Sequence, residues 1–125
     1  MSFYALIKTT ITDTEEFRRI CERNNINYVE SETRHTFRNY EVQATLQENG
    51  KVFGYFIKDG GAFRVLLDKD ASYRGVAKHL GDGGILTRDY SCGMLEKGIV
   101  DNNGMIIDKQ YNPDGSVTIR AAINQ

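Results

Sequence analysis

Residues 78–93, KHLGDGGILTRDYSCG, gather a histidine, a glycine-rich turn, an arginine, two aspartates, a tyrosine and a cysteine. Each type suggests a chemistry. Asp82-Gly83-Gly84 ahead of a helix could offer free N–H groups to a phosphate, helped by the helix dipole. Phosphate loops of that kind read Gly-x-x-x-x-Gly-Lys-Ser/Thr, or Gly-x-Gly-x-x-Gly after a strand, and neither pattern is present. Asp82 would also repel an anion. Gly81 stands where a helix C′ glycine belongs, and Asp82 stands where a following helix needs its N-cap, so the turn reads as a joint between helices. The soft metal ligands are His35, His79, Cys21 and Cys92. All are isolated, whereas a zinc site needs paired ligands at short spacing, so neither a metal nor a cofactor is expected. Cys92 has no histidine within its own helical turns, which leaves a Cys–His nucleophile without local support. No catalytic residue is assigned.

Arg88, Asp89 and Tyr90 are the binding candidates in this stretch. Tyr90 falls on an apolar helix face, where a half-buried ring sends its hydroxyl to a partner. Arg88 and Asp89 are adjacent on the helix and are expected not to face each other, so they are either solvated or line a groove. A second set comes from RHTFRNY at 34–40, where Arg34, His35 and Arg38 alternate with Phe37 and Tyr40. Basic and aromatic residues mixed in this way can stack on single-stranded nucleic acid. Arg18, Arg19 and Arg23 could extend a positive face, but Glu30, Glu32 and Glu41 dilute it. With 16 basic residues against 17 acidic ones the net charge is −1, which argues against nucleic acid as the main partner and favours a solvated loop.

The elements that must hold these residues follow from periodicity. FYALIKTTI (3–11) reads as a strand. Thr12 followed by Glu15 suggests a capping box for a helix that buries Phe17, Ile20 and Cys21, turns Glu16, Arg18, Arg19 and Arg23 away, and ends at Asn24 and Asn25. INYVE is a short strand. YEVQATL alternates, with Tyr40, Val42, Ala44 and Leu46 expected on one face. NG at 49–50 and DGG at 59–61 are tight turns joining it to VFGYFI and AFRVLL, which gives a three-strand meander. SYRGVAKHL reads as a helix capped by Ser72. A second helix carries Leu86, Tyr90 and Met94, and stops at Asn102-Asn103-Gly104. A hairpin closes the chain, MIIDKQY and SVTIRAAI about the turn NPDG, with Val117, Ile119, Ala121 and Ile123 on one face. The expected core joins Leu46, Phe56, Leu66, Tyr90, Met94 and Ile119. The fold class is α+β: a single domain over 1–125, with helices packed on one face of an antiparallel sheet. A chain of this length buries roughly 65% of its unfolded surface and needs no disulfide staples.

Three strings resemble the hypothetical chloroplast reading frame thirty-five family, a domain of unknown function found in plastids, cyanobacteria, other bacteria and phages. MSFYALIKTTITDTEEF resembles its opening, an Ile-Lys-Thr followed by a capped helix. GYFIKDGGAFRVLLD resembles its central hairpin. LTRDYSCGMLEKGIVDNNGMIIDKQYNPDGSVTIRAAI resembles its ending, a helix with a polar residue before Tyr and then a hairpin closed by Asp-Gly-Ser. The resemblance implies the same α+β fold and carries no catalytic residue.

The opening MSFYALIKTTITD lacks the pattern of a secretory signal, and no apolar run approaches the roughly 18 residues that span a bilayer. The expectation is no membrane, a reducing compartment (cytoplasm, a host cell or a plastid stroma), and cysteines kept as thiols. The function expected is non-enzymatic: binding a protein partner or a small ligand such as a nucleotide. Near-zero charge and an open sheet edge also point to a homo-oligomer. The alternatives are a small enzyme whose groups converge only in the fold, and a weak single-stranded nucleic-acid binder using the 34–40 segment.

Overall fold

A Schellman turn shows how local sequence shapes this chain. Asn25 takes a left-handed φ of 59° just past the first helix. Its N–H reaches Glu22 O at 3.1 Å, and the N–H of Ile26 reaches Cys21 O at 2.9 Å. Both bonds satisfy carbonyls at the helix end, and Ile26 is sealed into the core at 2% exposure. The structure is a computed structural model that describes residues 4–6, 9–68 and 84–123. The helix expected over SYRGVAKHL, with Ser72, His79, Gly81, Asp82 and Gly83, lies outside the described residues.

The elements in chain order are β1 (Tyr4–Leu6), α1 (Thr14–Arg23), β2 (Asn27–Glu30), β3 (Thr36–Phe37), β4 (Tyr40–Glu48), β5 (Lys51–Asp59), β6 (Ala62–Asp68), α2 (Gly84–Asp101), β7 (Gly104–Tyr111) and β8 (Val117–Ile123). The first six strands form one antiparallel sheet in the order β1-β6-β5-β4-β2, with β3 also on β4. Ile11 adds a bridge to Phe63 beyond the end of β1. The meander is present, and Asn49-Gly50 turns with φ of 53° and 79°, as a type I′ hairpin needs. Phe17, Ile20 and Cys21 of α1 share one core cluster with Leu86 and Tyr90 of α2 and with Leu46, Phe56, Val65 and Leu67 of the sheet. Both helices therefore cover the same face, which is the expected α+β architecture. At the centre Phe17 stacks on Phe56 at 4.4 Å, and Phe56 stacks on Phe63 at 5.1 Å.

The structure corrects several expectations. Asp13, not Thr12, caps α1: its side chain accepts from the N–H of Glu16. Glu16 does not turn outward but is 3% exposed. Tyr40 and Val42 do not share a face with Ala44 and Leu46. The register of β4 on β5 shifts between Val42 and Ala44, a bulge that reverses the alternation. Val42 consequently joins Ile57 and Leu66 in a second cluster, with Tyr40, Phe37 and Tyr55 packed against it, on the sheet face turned away from the helices. Leu66 is thus buried but apart from Leu46, Phe56 and Tyr90, while Met94 is only half-buried against their cluster. A second register shift, between Leu46 and Gln47, lets Phe53 and Phe56 face the same core although they are three apart.

The C-terminal hairpin does not join the large sheet. β7 and β8 form a two-stranded sheet of their own that packs on α2. Ile119 belongs to this unit and not to the main core. Val117 and Ile119 are half-buried, but Ala121 and Ile123 on the same strand are exposed, Ile123 at 70%. The inner face of the hairpin loses its cover toward the end of the chain.

Candidate functional site

Arg88, Asp89 and Tyr90 lie where α1, α2 and the hairpin meet. Tyr90 is 4% exposed and faces α1. Its hydroxyl oxygen accepts from the backbone N–H groups of Thr12 and Asp13, each at 3.0 Å. These groups stand at the start of α1, where backbone donors lack helical partners. Lys97, two helical turns further along α2, donates to Asp13 Oδ2 at 2.6 Å. This hydrogen bond, with help from the Glu16 amide, holds the Asp13 carboxyl below its ordinary 3.8. α2 thus fastens the beginning of α1 through one neutral and one charged contact.

The other end of α1 is fastened by Asp89. Asn24 Nδ2 donates both to Ile20 O at 2.9 Å and to Asp89 Oδ2 at 3.2 Å. The remaining oxygen of Asp89 takes the Arg88 Nε at 3.0 Å, so these neighbours do pair, contrary to the expectation from helix geometry. Arg88 reaches across to the hairpin turn, donating Nη1 to Gly115 O at 3.1 Å, with its guanidinium 5.3 Å from the Tyr111 ring centre. The chain Asn24–Asp89–Arg88–Gly115 crosses from α1 through α2 to the hairpin. The arrangement orients three elements.

Between those ends Glu16 is buried against Gly93. A Cβ built on Gly93 would run into Glu16 Oε1 and lie 3.1 Å from its Cδ. With Glu16 in this position, glycine is the residue that leaves room for its carboxylate. The carboxylate keeps partners at the rim, Arg19 at 3.4 Å and Arg23 at 3.9 Å. Arg18 pairs with Glu22 at 3.3 Å, so the three arginines expected to extend a positive face are all matched by acids.

Arg34 and Arg38 are not brought to this junction. Arg34 is 83% exposed at its side chain and 3.9 Å from Glu41. Arg38 and Asn39 have φ of 50° and 68°, a type I′ turn joining β3 to β4, so 34–40 is a hairpin and not an open loop. The Arg38 guanidinium sits 5.7 Å from the centre of the Phe37 ring, which stacks on Tyr55 at 4.2 Å. This aromatic group belongs to the sheet face opposite α2.

Cys21 is buried, and desolvation pushes its thiol up to about 12. Burial also raises the half-buried Cys92. Among the described residues no three His, Cys, Asp or Glu side chains group as a metal site. An apolar crevice lined by Ile11, Phe17, Val65, Leu67 and Leu86 has room for no more than about one water. No described helix is long and apolar enough to cross a membrane.

Asp13, Glu16, Asn24, Gly93 and Lys97 are the junction residues that sequence reasoning missed. Asp13-x-x-Glu16 is itself a capping signature, overlapped by the Thr12-x-x-Glu15 pattern one residue earlier. A glycine inside an 18-residue helix was the available signal for close approach at Gly93. No protein-family model, curated protein or solved structure significantly matches this chain.

Proposed function

We propose that this chain is a non-enzymatic binding domain that acts through a protein partner, copies of itself included. The observation that carries the reading is where its exposed apolar side chains sit. Met105, Ile107 and Ile123 of the hairpin are 58%, 56% and 70% exposed, and Leu95 and Val100 of α2 are 55% and 57% exposed. These two packed elements carry most of the exposed large apolar side chains among the described residues, and such exposure marks places where proteins meet. The polar side chains of the junction, by contrast, are engaged with one another and with the backbone. A protein partner fits this distribution better than a small ligand such as a nucleotide. We further propose a reducing compartment, in keeping with two free thiols, and kinship with the reading frame thirty-five family on the three strings described above.

Native mass spectrometry on protein drawn from its own host tests this reading. Complexes of defined mass above that of the single chain are expected. The single-chain mass alone, with no second component at any concentration, overturns it.

A further inference from the structure

We propose that the outer face of the β7–β8 hairpin is the contact surface of a weak homodimer; the inference rests on the binding-domain reading and names its partner as a second copy of this chain. The face turned toward α2 carries Ile119 and Lys109, which pair across the strands, and Lys109 Nζ reaches Glu96 of α2 at 3.4 Å. The opposite face therefore carries the pairs Met105–Ala122, Asp108–Arg120 and Gln110–Thr118. Each pair sets unlike partners side by side: large beside small, negative beside positive, amide beside hydroxyl. A two-fold axis lying along the hairpin, between its strands, stacks two such faces so that β7 of one copy covers β8 of the other. Met105 then meets Ala122 of the partner copy, Asp108 meets Arg120, and Gln110 meets Thr118, each twice. A surface with this pattern is complementary to itself, whereas a uniformly charged partner would be matched at one position and repelled at the other. Within one chain the Asp108–Arg120 pair is loose, 3.9 Å apart with side chains 53% and 68% exposed, so both charges are free to turn toward a second copy.

Strength follows from size. Eight residues at about 3.4 Å each and strands about 4.8 Å apart offer on the order of 250 Å² per copy. Stable pairs bury about 800 Å² per partner, so this dimer is a weak one that forms at high protein concentration.

Sedimentation equilibrium on the purified chain at concentrations up to about 1 mM tests the proposal. A monomer–dimer equilibrium is expected. Asp108→Arg sets two arginines against each other and Arg120→Asp sets two aspartates, so each variant alone should weaken the dimer at least about tenfold. An equimolar mixture of the two restores it as a heterodimer, because both contacts become complementary again. Melting curves like that of the parent show that the variants fold. A single-chain mass at every concentration overturns the inference, as do charge variants that dimerise like the parent, or a mixture that stays monomeric. If the pure chain is monomeric while host-derived protein carries another component, the homodimer falls and the binding-domain reading stands. If neither shows a partner, both fall.

Discussion

Glu16 lies four residues before Ile20, which is 1% exposed, so helical spacing alone puts it on the buried stripe. Its charge is what suggested otherwise, and residue type misleads here because Gly93 leaves a slot for the side chain and Arg19 and Arg23 meet its carboxylate at the rim. Gly93→Ala sets two effects against each other. Alanine favours a helix by about 1 kcal/mol over glycine. The new methyl would collide with Glu16 Oε1, so the carboxylate, 5% exposed at its side chain, must leave its place beside Arg19 and Arg23. Overpacking of this sort costs about 1–3 kcal/mol, so the variant should be less stable in urea titration. Glu16→Ala combined with Gly93→Ala removes the collision, and the pair should lie within about 1 kcal/mol of the parent. Equal losses in the single and double variants would show that the two residues do not touch. The thiols offer a second residue-scale check. With Cys21 pushed up to about 12 by burial and Cys92 also raised, a thiol reagent at neutral pH should label Cys92 slowly. Cys21 should react only on unfolding, and prompt labelling of both would contradict its burial.

Among the elements, α1 and the hairpin are each held by α2, and each attachment has a distinct signature. Because Asp13 titrates below its ordinary 3.8, its contacts stabilise the folded chain fully above its unfolded value and fade as pH falls through the lower, folded one. Lys97 is shifted above its ordinary 10.5 by the same hydrogen bond, so the pair persists until the pH rises past that value. The parent should therefore exceed Asp13→Asn in stability at neutral pH, and the gap should close in acid below about 3.8; a gap that does not change with pH would remove the ion pair from the account. Arg88→Ala deletes the bond to Gly115 O, the pair with Asp89 and the contact with the Tyr111 ring. A loss of about 1–2 kcal/mol is expected, with faster amide exchange in the 112–116 turn. The elements themselves were largely legible. Apolar periodicity and the Asn49-Gly50 turn disclose α1, the meander and the final hairpin, because those signals are local. The bulges at Val42/Ala44 and Leu46/Gln47 carry no local marker, since an extra residue in a strand is decided by packing across the sheet. The turn at Arg38-Asn39 was hidden for a related reason: arginine is an unusual occupant of a left-handed position, where Asn, Asp or Gly is normal.

At the scale of the whole molecule the chain divides its stability unequally. Phe17, Phe56 and Phe63 stack within a core that ties α1 and α2 to the large sheet. The hairpin makes its main tertiary contacts with α2 alone and keeps Met105, Ile107 and Ile123 largely in solvent. A two-stranded ribbon is marginal by itself, so what it gains comes from Lys109 pairing with Glu96 of α2, from the half-buried Val117 and Ile119, and from the Arg88 bridge. This asymmetry was not legible in the sequence. MIIDKQY and SVTIRAAI look like any pair of strands, and nothing local says that they stand apart from the sheet. It has an energetic consequence, because contacts that few elements share can open without the rest. Native-state hydrogen exchange should therefore show β7 and β8 amides opening at lower free energy than those of β4, β5 and β6, whose exchange should follow global unfolding. Phe17→Ala, which strips a stacked ring from the core, should cost about 3–5 kcal/mol and lower the protection of the sheet, leaving the gap between hairpin and sheet narrower. If the hairpin mediates self-association, raising the protein concentration should slow its exchange selectively. Hairpin amides that exchange only with the sheet, at every concentration, would mean that α2 carries the two as one cooperative unit.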